Sequence, residues 1–214
     1  MIMRYKPFPV ILSSPSGGGK TTIKKEIISK SDLFDFSITC TTRPKRKEEI
    51  DGKDYYFVSD KDFERMIKND ELIEWAYVHN HRYGTPKSSV MKIVDSGKFP
   101  IMTIDVVGAM NVKKIMPNSV LIFVIPPDFN MLVERLKNRG DLISDINIRM
   151  NTALKEMDFA EKFDYLVLNE KLEDTVNSVI NIVLSETQRV FRNQNILKDF
   201  KFQIKKTIES GGVK

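Results

Sequence analysis

A single cysteine, Cys40, stands in a chain of 214 residues. That count rules out an internal disulfide and a thiolate zinc cage, and it fits a reducing compartment such as the cytoplasm. The two histidines, His79 and His81, have no third ligand at a sensible spacing, so an imidazole-based metal centre is not expected. No apolar run approaches the roughly 20 residues of a membrane-spanning helix, and residues 1–6 lack the apolar stretch of a signal peptide. Internal repeats and low-complexity tracts are also missing. Hydrophobic residues make up 41% and charged residues 29%, enough for a packed core rather than general disorder. The length suits one domain, or one domain with an inserted subdomain.

Net charge is +5, and it is segregated. Residues 189–214 carry seven basic side chains against Asp199 and Glu209, whereas residues 1–188 balance at 27 of each sign. The main body therefore has no global field for a polyanion, and an anion site there has to be local. In the tail, Leu197, Phe200, Ile204 and Ile208 recur at helical spacing with lysines between them. That pattern suits a docked helix, a subunit contact or a weak binder of anionic surfaces, and sequence does not choose among them.

Residues 9–14 read as a short buried strand, followed by a Ser/Pro/Gly turn and a helix over about 20–30. Residues 99–107, 119–125 and 164–168 are apolar runs of the kind covered on both faces in a parallel sheet. Helices are expected over about 60–69 after a Ser59 cap, 129–138 after an Asp128 cap, 144–161 and 171–191. Strands alternating with helices indicate a layered α/β fold. From Phe36 to Val78 the rhythm breaks, which marks an inserted segment. Within it residues 71–75 read as the end of a helical stretch; beyond it Tyr83-Gly84-Thr85 reads as a turn.

The run Ser14-Pro15-Ser16-Gly17-Gly18-Gly19-Lys20-Thr21-Thr22 follows the first strand directly and opens the first helix. Its glycines let successive N–H groups turn inward onto phosphate oxygens, and the helix amino terminus adds partial positive charge. Lys20 reaches a transferable phosphate, and the Thr21 hydroxyl suits a magnesium ion. Ser14 stands where glycine is usual in such loops, which requires a backbone there without positive φ. Further on, Thr41-Thr42-Arg43-Pro44-Lys45-Arg46 sets two guanidinium forks three positions apart on a non-helical stretch. Such forks match phosphate in two-point geometry, and Tyr55 and Tyr83 offer hydroxyls to the same group. A solvated basic loop is the alternative reading of that segment.

Together with Asp51-Gly52-Lys53-Asp54-Tyr55-Tyr56-Phe57-Val58, Ile73-Glu74-Trp75-Ala76, Tyr83-Gly84-Thr85 and Ile104-Asp105, these motifs resemble the guanylate kinase family. The likeness extends more loosely through Arg135-Leu136-Lys137-Asn138-Arg139-Gly140 to about Leu184. It implies a P-loop NTPase three-layer α/β fold with a parallel central sheet, an inserted GMP-binding subdomain and a helical lid. In that division residues 1–188 form the kinase domain, with core about 1–35 and 92–188, insertion about 36–91 and lid about 135–155, ahead of a basic tail at 189–214.

The resemblance implies ATP-dependent phosphorylation of GMP, and of dGMP alongside it, to the diphosphate in purine nucleotide metabolism. It places ATP on residues 14–22, with Asn169 near the adenine. It places the GMP phosphate on Arg43, Arg46, Tyr55 and Tyr83, and the guanine among Thr39, Glu74, Thr85 and Asp105. One carboxylate can accept both adjacent guanine N–H donors, whereas adenine presents a lone pair there, so Glu74 suits the choice of base. Arg135 and Arg139 share a helix face, and with Arg149 they belong to the lid; these three, with Lys20 and Arg43, are the expected catalytic cations. Magnesium falls to Thr21, with Asp105 able to act through water. Thr103 stands where the family usually has an acid and Val107 where glutamine is common.

ATP and GMP are the expected partners of a cytoplasmic monomer or homodimer, with neither nucleic acid nor membrane among them. A kinase for another monophosphate, a silent scaffold domain of the same fold and a nucleic-acid binder working through the tail are the competing readings. Cys40 and the methionines, among them Met102, Met110, Met150 and Met157, are expected to serve packing.

Overall fold

The computed structural model describes residues 6–15, 17–78, 80–137 and 143–210, apart from the side chains of 136 and 143–147. Ser16, Arg139 and His79, all singled out from the sequence, lie outside the described residues.

Strand β1 (Val10–Ser13) is buried at every position, as an aliphatic strand with helices over both faces must be. It lies in the middle of a five-stranded sheet with β2 (Phe34–Phe36), β7 (Phe99–Thr103), β8 (Val120–Ile125) and β9 (Tyr165–Leu168), in the order β2-β7-β1-β8-β9. Every pairing in it is parallel. Val10 and Leu12 point to one face, where Ile23 and Ile27 of α1 (Lys20–Lys30) and Val176, Val179 and Val183 of α7 (Leu172–Thr187) cover them. Ile11 points to the other, against Val90 of α3 (Lys87–Asp95) and Ala109 and Val112 of α4 (Val106–Ile115). The result is three layers, helix, sheet and helix. From β1 the chain runs to one side for β2, returns for β7 and crosses to β8 and β9. The carboxyl end of β1 is thus where strand order reverses, the place where open α/β sheets bind ligands.

A second sheet, in the order β4-β3-β6-β5, is built from β3 (Cys40–Thr41), β4 (Tyr56–Phe57), β5 (Leu72–Val78) and β6 (His81–Pro86). Its small core of Cys40, Phe63 and Leu72 lies beneath α2 (Asp60–Lys68). The Cys40 thiol is fully buried and donates to the Gly84 carbonyl at 3.2 Å; burial pushes it up to about 12, in keeping with a packing role. Ser59 caps α2 by accepting from Asp62 N–H at 3.1 Å, and Asp128 accepts from Met131 N–H at 2.8 Å to start α5 (Phe129–Lys137).

Several sequence expectations need correction. Residues 72–78 are a strand, not the end of a helix, because α2 stops at Lys68 and Asp70 turns with φ 55°. Residues 83–85 belong to the partner strand β6, with Asn80 at φ 64° in the intervening turn. The expected strand over 99–107 ends at Thr103, since Asp105 caps α4. The helix expected over 171–191 ends at Thr187 and gives way to a 3₁₀ turn, Val190–Asn193. Met102 is buried but Met157, on α6 (Ile143–Ala160), is exposed. Helix α8 (Gln194–Glu209) closes the described chain, and among the described residues no helix is long and apolar enough to cross a membrane.

Candidate active site

Helix α1 begins without a capping side chain, on Gly19, and has no acid in its first turn. Its leading N–H groups and the positive end of its dipole are therefore left for an external anion. Gly19 adopts φ 96°, and a Cβ there would sit 2.7 Å from Asn169 Nδ2. Both the backbone and the space demand glycine. Gly19→Ala is accordingly expected to cost about 1–3 kcal/mol and to lower Tm by several degrees in thermal unfolding.

The serine at position 14 is accommodated without positive φ and is put to use. Its carbonyl and Oγ accept from Lys20 Nζ at 2.6 and 3.1 Å, and its hydroxyl donates to the Pro15 carbonyl at 3.0 Å. Thr21 and Thr22 are exposed on the first turn. Gly17, Gly19, Thr22, Arg135 and Asn169 line one cavity of about 450 Å³. Asn169 is 5% exposed; it donates to the Gly18 carbonyl at 3.0 Å and accepts from Thr175 Oγ1 at 3.2 Å. Arg135 Nη2 in turn donates to the Asn169 carbonyl at 3.2 Å. Arg135 and Asn169, 34 residues apart, are thus brought to the glycine loop. Arg149 is half-buried on α6 and does not line this cavity.

The second sheet assembles the other residues in two groups. In the first, Arg43 Nε donates to Tyr83 Oη at 3.1 Å, and its guanidinium lies 5.5 Å from the centre of the Tyr55 ring. Tyr55 and Tyr83 meet edge to face at 6.0 Å. Glu49, which the sequence reading did not single out, accepts from Arg43 Nη2 at 2.5 Å and from the Arg46 backbone N–H at 2.8 Å. It folds the loop so that both arginines leave from one turn; Arg46 itself is exposed. The ion pair raises the Arg43 guanidinium and lowers the Glu49 carboxyl, while burial raises the Tyr55 phenol.

The second group surrounds Glu74. Across the β5–β6 ladder Glu74 faces Thr85, just past a register shift after Leu72, and such irregularities re-aim side chains beside sites. Thr85 Oγ1 donates to Glu74 Oε1 at 2.7 Å. Glu74 is 7% exposed. Burial first, and the nearby Asp105 charge to a lesser degree, push it up to about 7, against the pull of the Thr85 hydrogen bonds. Asp105 Oδ1 accepts from the N–H groups of Val107 and Gly108 at 2.8 and 2.9 Å. A Cβ on Gly108 would lie 3.0 Å from Glu74 Oε2, so this glycine, also missed from the sequence, makes room for the carboxylate. Thr39 is 9% exposed, and its carbonyl accepts from Tyr56 N–H at 3.0 Å. Thr103 and Val107, the two departures, flank Asp105 at the end of β7 and the start of α4.

The family model described as guanylate kinase matches residues 6–186. The guanylate kinase of Thermotoga maritima is 44% identical over 196 residues, which is 91% of this chain and 95% of that protein. That of Caldanaerobacter subterraneus is 39% identical over 197 residues, 92% and 96% of the two chains. The crystal structure of guanylate kinase from Anaplasma phagocytophilum superposes with a TM-score of 0.72 at 32% identity, covering 88% of this chain and 92% of that one. The glycine loop at the carboxyl end of β1, Arg43 set against Tyr55 and Tyr83, and the buried Glu74 carboxylate are thus carried by a chain that belongs to the guanylate kinase family.

Proposed function

We infer that the protein transfers the terminal phosphoryl group of ATP to GMP, giving ADP and GDP. The observation that carries the reading beyond family membership is the buried Glu74 carboxylate, held by Thr85 in a chain that also has an uncapped phosphate-binding helix. Leaving a carboxyl group in a dry site destabilises its charged form, and two adjacent N–H donors on guanine compensate that cost.

We propose that the chain divides into a core, about residues 1–35 and 92–188, a GMP-binding insertion over about 36–91, a lid over about 135–155 and the tail after 188. In the core, the glycine loop at residues 14–19 and Lys20 grip the ATP phosphates, Thr22 lies beside them and Asn169 is near the adenine. In the insertion, Arg43 and Arg46 clamp the GMP phosphate with Tyr55 and Tyr83, while Thr39, Glu74, Thr85 and Asp105 surround the base. An oxygen of the GMP phosphate attacks the γ-phosphorus as the bond to the ADP oxygen breaks, with no covalent enzyme intermediate. The protein's contribution is alignment and charge neutralisation, from Lys20 and Arg43 and from Arg135, Arg139 and Arg149 delivered by the lid.

Among the described residues no group of three or more His, Cys, Asp or Glu side chains forms a metal cage. The exposed hydroxyl of Thr21 beside the phosphate loop instead fits magnesium, a hard cation that usually binds through one or two protein oxygens and the nucleotide phosphates. Thr21 would hold it, and it would supply charge neutralisation between the phosphates. Asp105 is less available, since its Oδ1 already caps α4.

An ADP-release assay with GMP, dGMP, AMP, UMP and dTMP tests the reading. GMP is expected to be turned over with kcat/KM at least about 10⁴-fold above that for AMP; preference for AMP or dTMP would remove Glu74 from the base-reading role.

A further inference from the structure

The tail helix has no counterpart in the chemistry above. Every residue of α8 from Asn195 onward is exposed, including Ile196, Leu197, Phe200, Ile204 and Ile208. At 100° per residue these five fall within an arc of about 120°, and Lys201, Lys205 and Lys198 follow along one edge of it. A helix of 16 residues with no buried face is marginal in water, so its apolar arc calls for a partner.

The helix is nevertheless firmly rooted. The Arg192 guanidinium lies 3.7 Å from the Phe8 ring centre and donates to Glu186 Oε2 at 2.9 Å. Asn193 Nδ2 donates to the carbonyls of Thr187 and Arg189 at 2.8 and 3.0 Å. Phe8 precedes β1, so the root lies at the amino end of the parallel sheet, opposite the phosphate loop. At the same end Phe8, Met91, Ile115, Met116 and Phe191 line an open groove of about 430 Å³ with Lys6 among them. Met91, Ile115, Val190 and Phe191 are all exposed there. Phe191 of that groove belongs to the 3₁₀ turn from which the helix starts.

Charge decides between partners. The whole +5 excess lies in residues 189–214, on and around the helix that carries the apolar arc, so a second copy packed through the same helix would set like charges against like. A nucleic acid matches the lysines but leaves the apolar arc in water. A bilayer with anionic headgroups satisfies both, with the arc in the acyl boundary and the lysines among the phosphates. We propose that α8, together with the groove at its root, is an interfacial element that docks the protein on anionic lipid surfaces with the nucleotide site facing away.

The test uses the full chain, sedimented with vesicles of phosphatidylcholine alone or mixed about three to one with phosphatidylglycerol. Binding is expected only to the mixed vesicles, and it is lost at high salt. The double variant Phe200→Asp/Ile204→Asp should weaken it more than tenfold, and Lys201→Gln/Lys205→Gln by roughly tenfold. Both variants should keep wild-type GMP turnover, which also reports that they fold. Failure of the wild-type chain to bind mixed vesicles overturns the proposal. So does a dimer, seen by light scattering, that Phe200→Asp/Ile204→Asp dissociates in the absence of vesicle binding, since the occupant of the face is then a second copy. Equal binding to both vesicle types removes the role of the lysines and overturns it as well.

Discussion

Replacing Lys20 by alanine is expected to lower kcat for GMP phosphorylation by about 10²–10³-fold, the cost of deleting one preorganised charge from a site where negative charge develops. The KM for GMP should change little, because the proposed acceptor residues lie on and beside a different sheet. The ammonium is held by the Ser14 carbonyl and hydroxyl at 2.6 and 3.1 Å, within the turn proposed to wrap the phosphates. A side chain pinned to the loop it serves loses little entropy on engaging the nucleotide, which favours the transition state over solvent reorganisation. Lys20→Arg should not restore the rate, since a planar fork cannot replace a compact ammonium so close to the backbone. The variant's Tm should stay near that of the parent, because Lys20 covers no core residue, whereas Gly19→Ala beside it loses stability. Unchanged turnover in Lys20→Ala would place the donor phosphates elsewhere.

The contrast between this loop and the base pocket explains what was legible in the sequence. The cradle is local: strand, glycines, lysine and helix are contiguous, so one short run of residues specifies its geometry, and even the unusual Ser14 needed only an ordinary φ. Strands β1, β7 and β8 were also readable, because burial on both faces leaves a long apolar run; β2, with Asp35 between two phenylalanines, was not, and β9 was read as covered on both faces although Leu166 and Leu168 are exposed. Glu74 and Thr85 are different. They meet only because β5 and β6 pair, and the pattern of Leu72, Ile73 and Glu74, all buried across a register shift, imitates the end of a helix. Asp105 stood out as a candidate site residue, yet its capping of α4 did not, because Val106 and Val107 resume on its far side the hydrophobic run of β7. Glu49 looked like one more charge in a charged loop; only folding shows that it accepts from Arg43 and from the Arg46 backbone together. Gly108 carries no signal at all until Glu74 is seen against it.

Glu74→Gln should produce two effects of opposite sign. Guanine presents two donors, and an amide can accept only one while directing its own N–H at the other, so kcat/KM for GMP should fall by about 10²–10³-fold at pH 8. AMP should gain, because the amide N–H can donate to the ring nitrogen that repels a carboxylate, and the ratio of GMP to AMP turnover should collapse. The parent enzyme should show a matching pH limb. With Glu74 at about 7 in the free protein, kcat/KM for GMP should drop about tenfold per pH unit below that value, and the glutamine variant should lack this limb. Stability should move the other way. A carboxyl raised from about 4.5 to about 7 binds its proton more tightly folded than unfolded. Its contribution is therefore fully present below about pH 4.5 and lost as pH rises through 7. Glutamine keeps an acceptor for Thr85 without the charge, so in the absence of nucleotide it should be more stable than the parent at pH 8, by on the order of 3 kcal/mol. That difference should shrink toward pH 5 in denaturant titrations. Lost activity with gained stability, both governed by the same titration, is what a base-reading carboxylate held in a dry pocket requires; a surface acid at a strand end would move neither quantity.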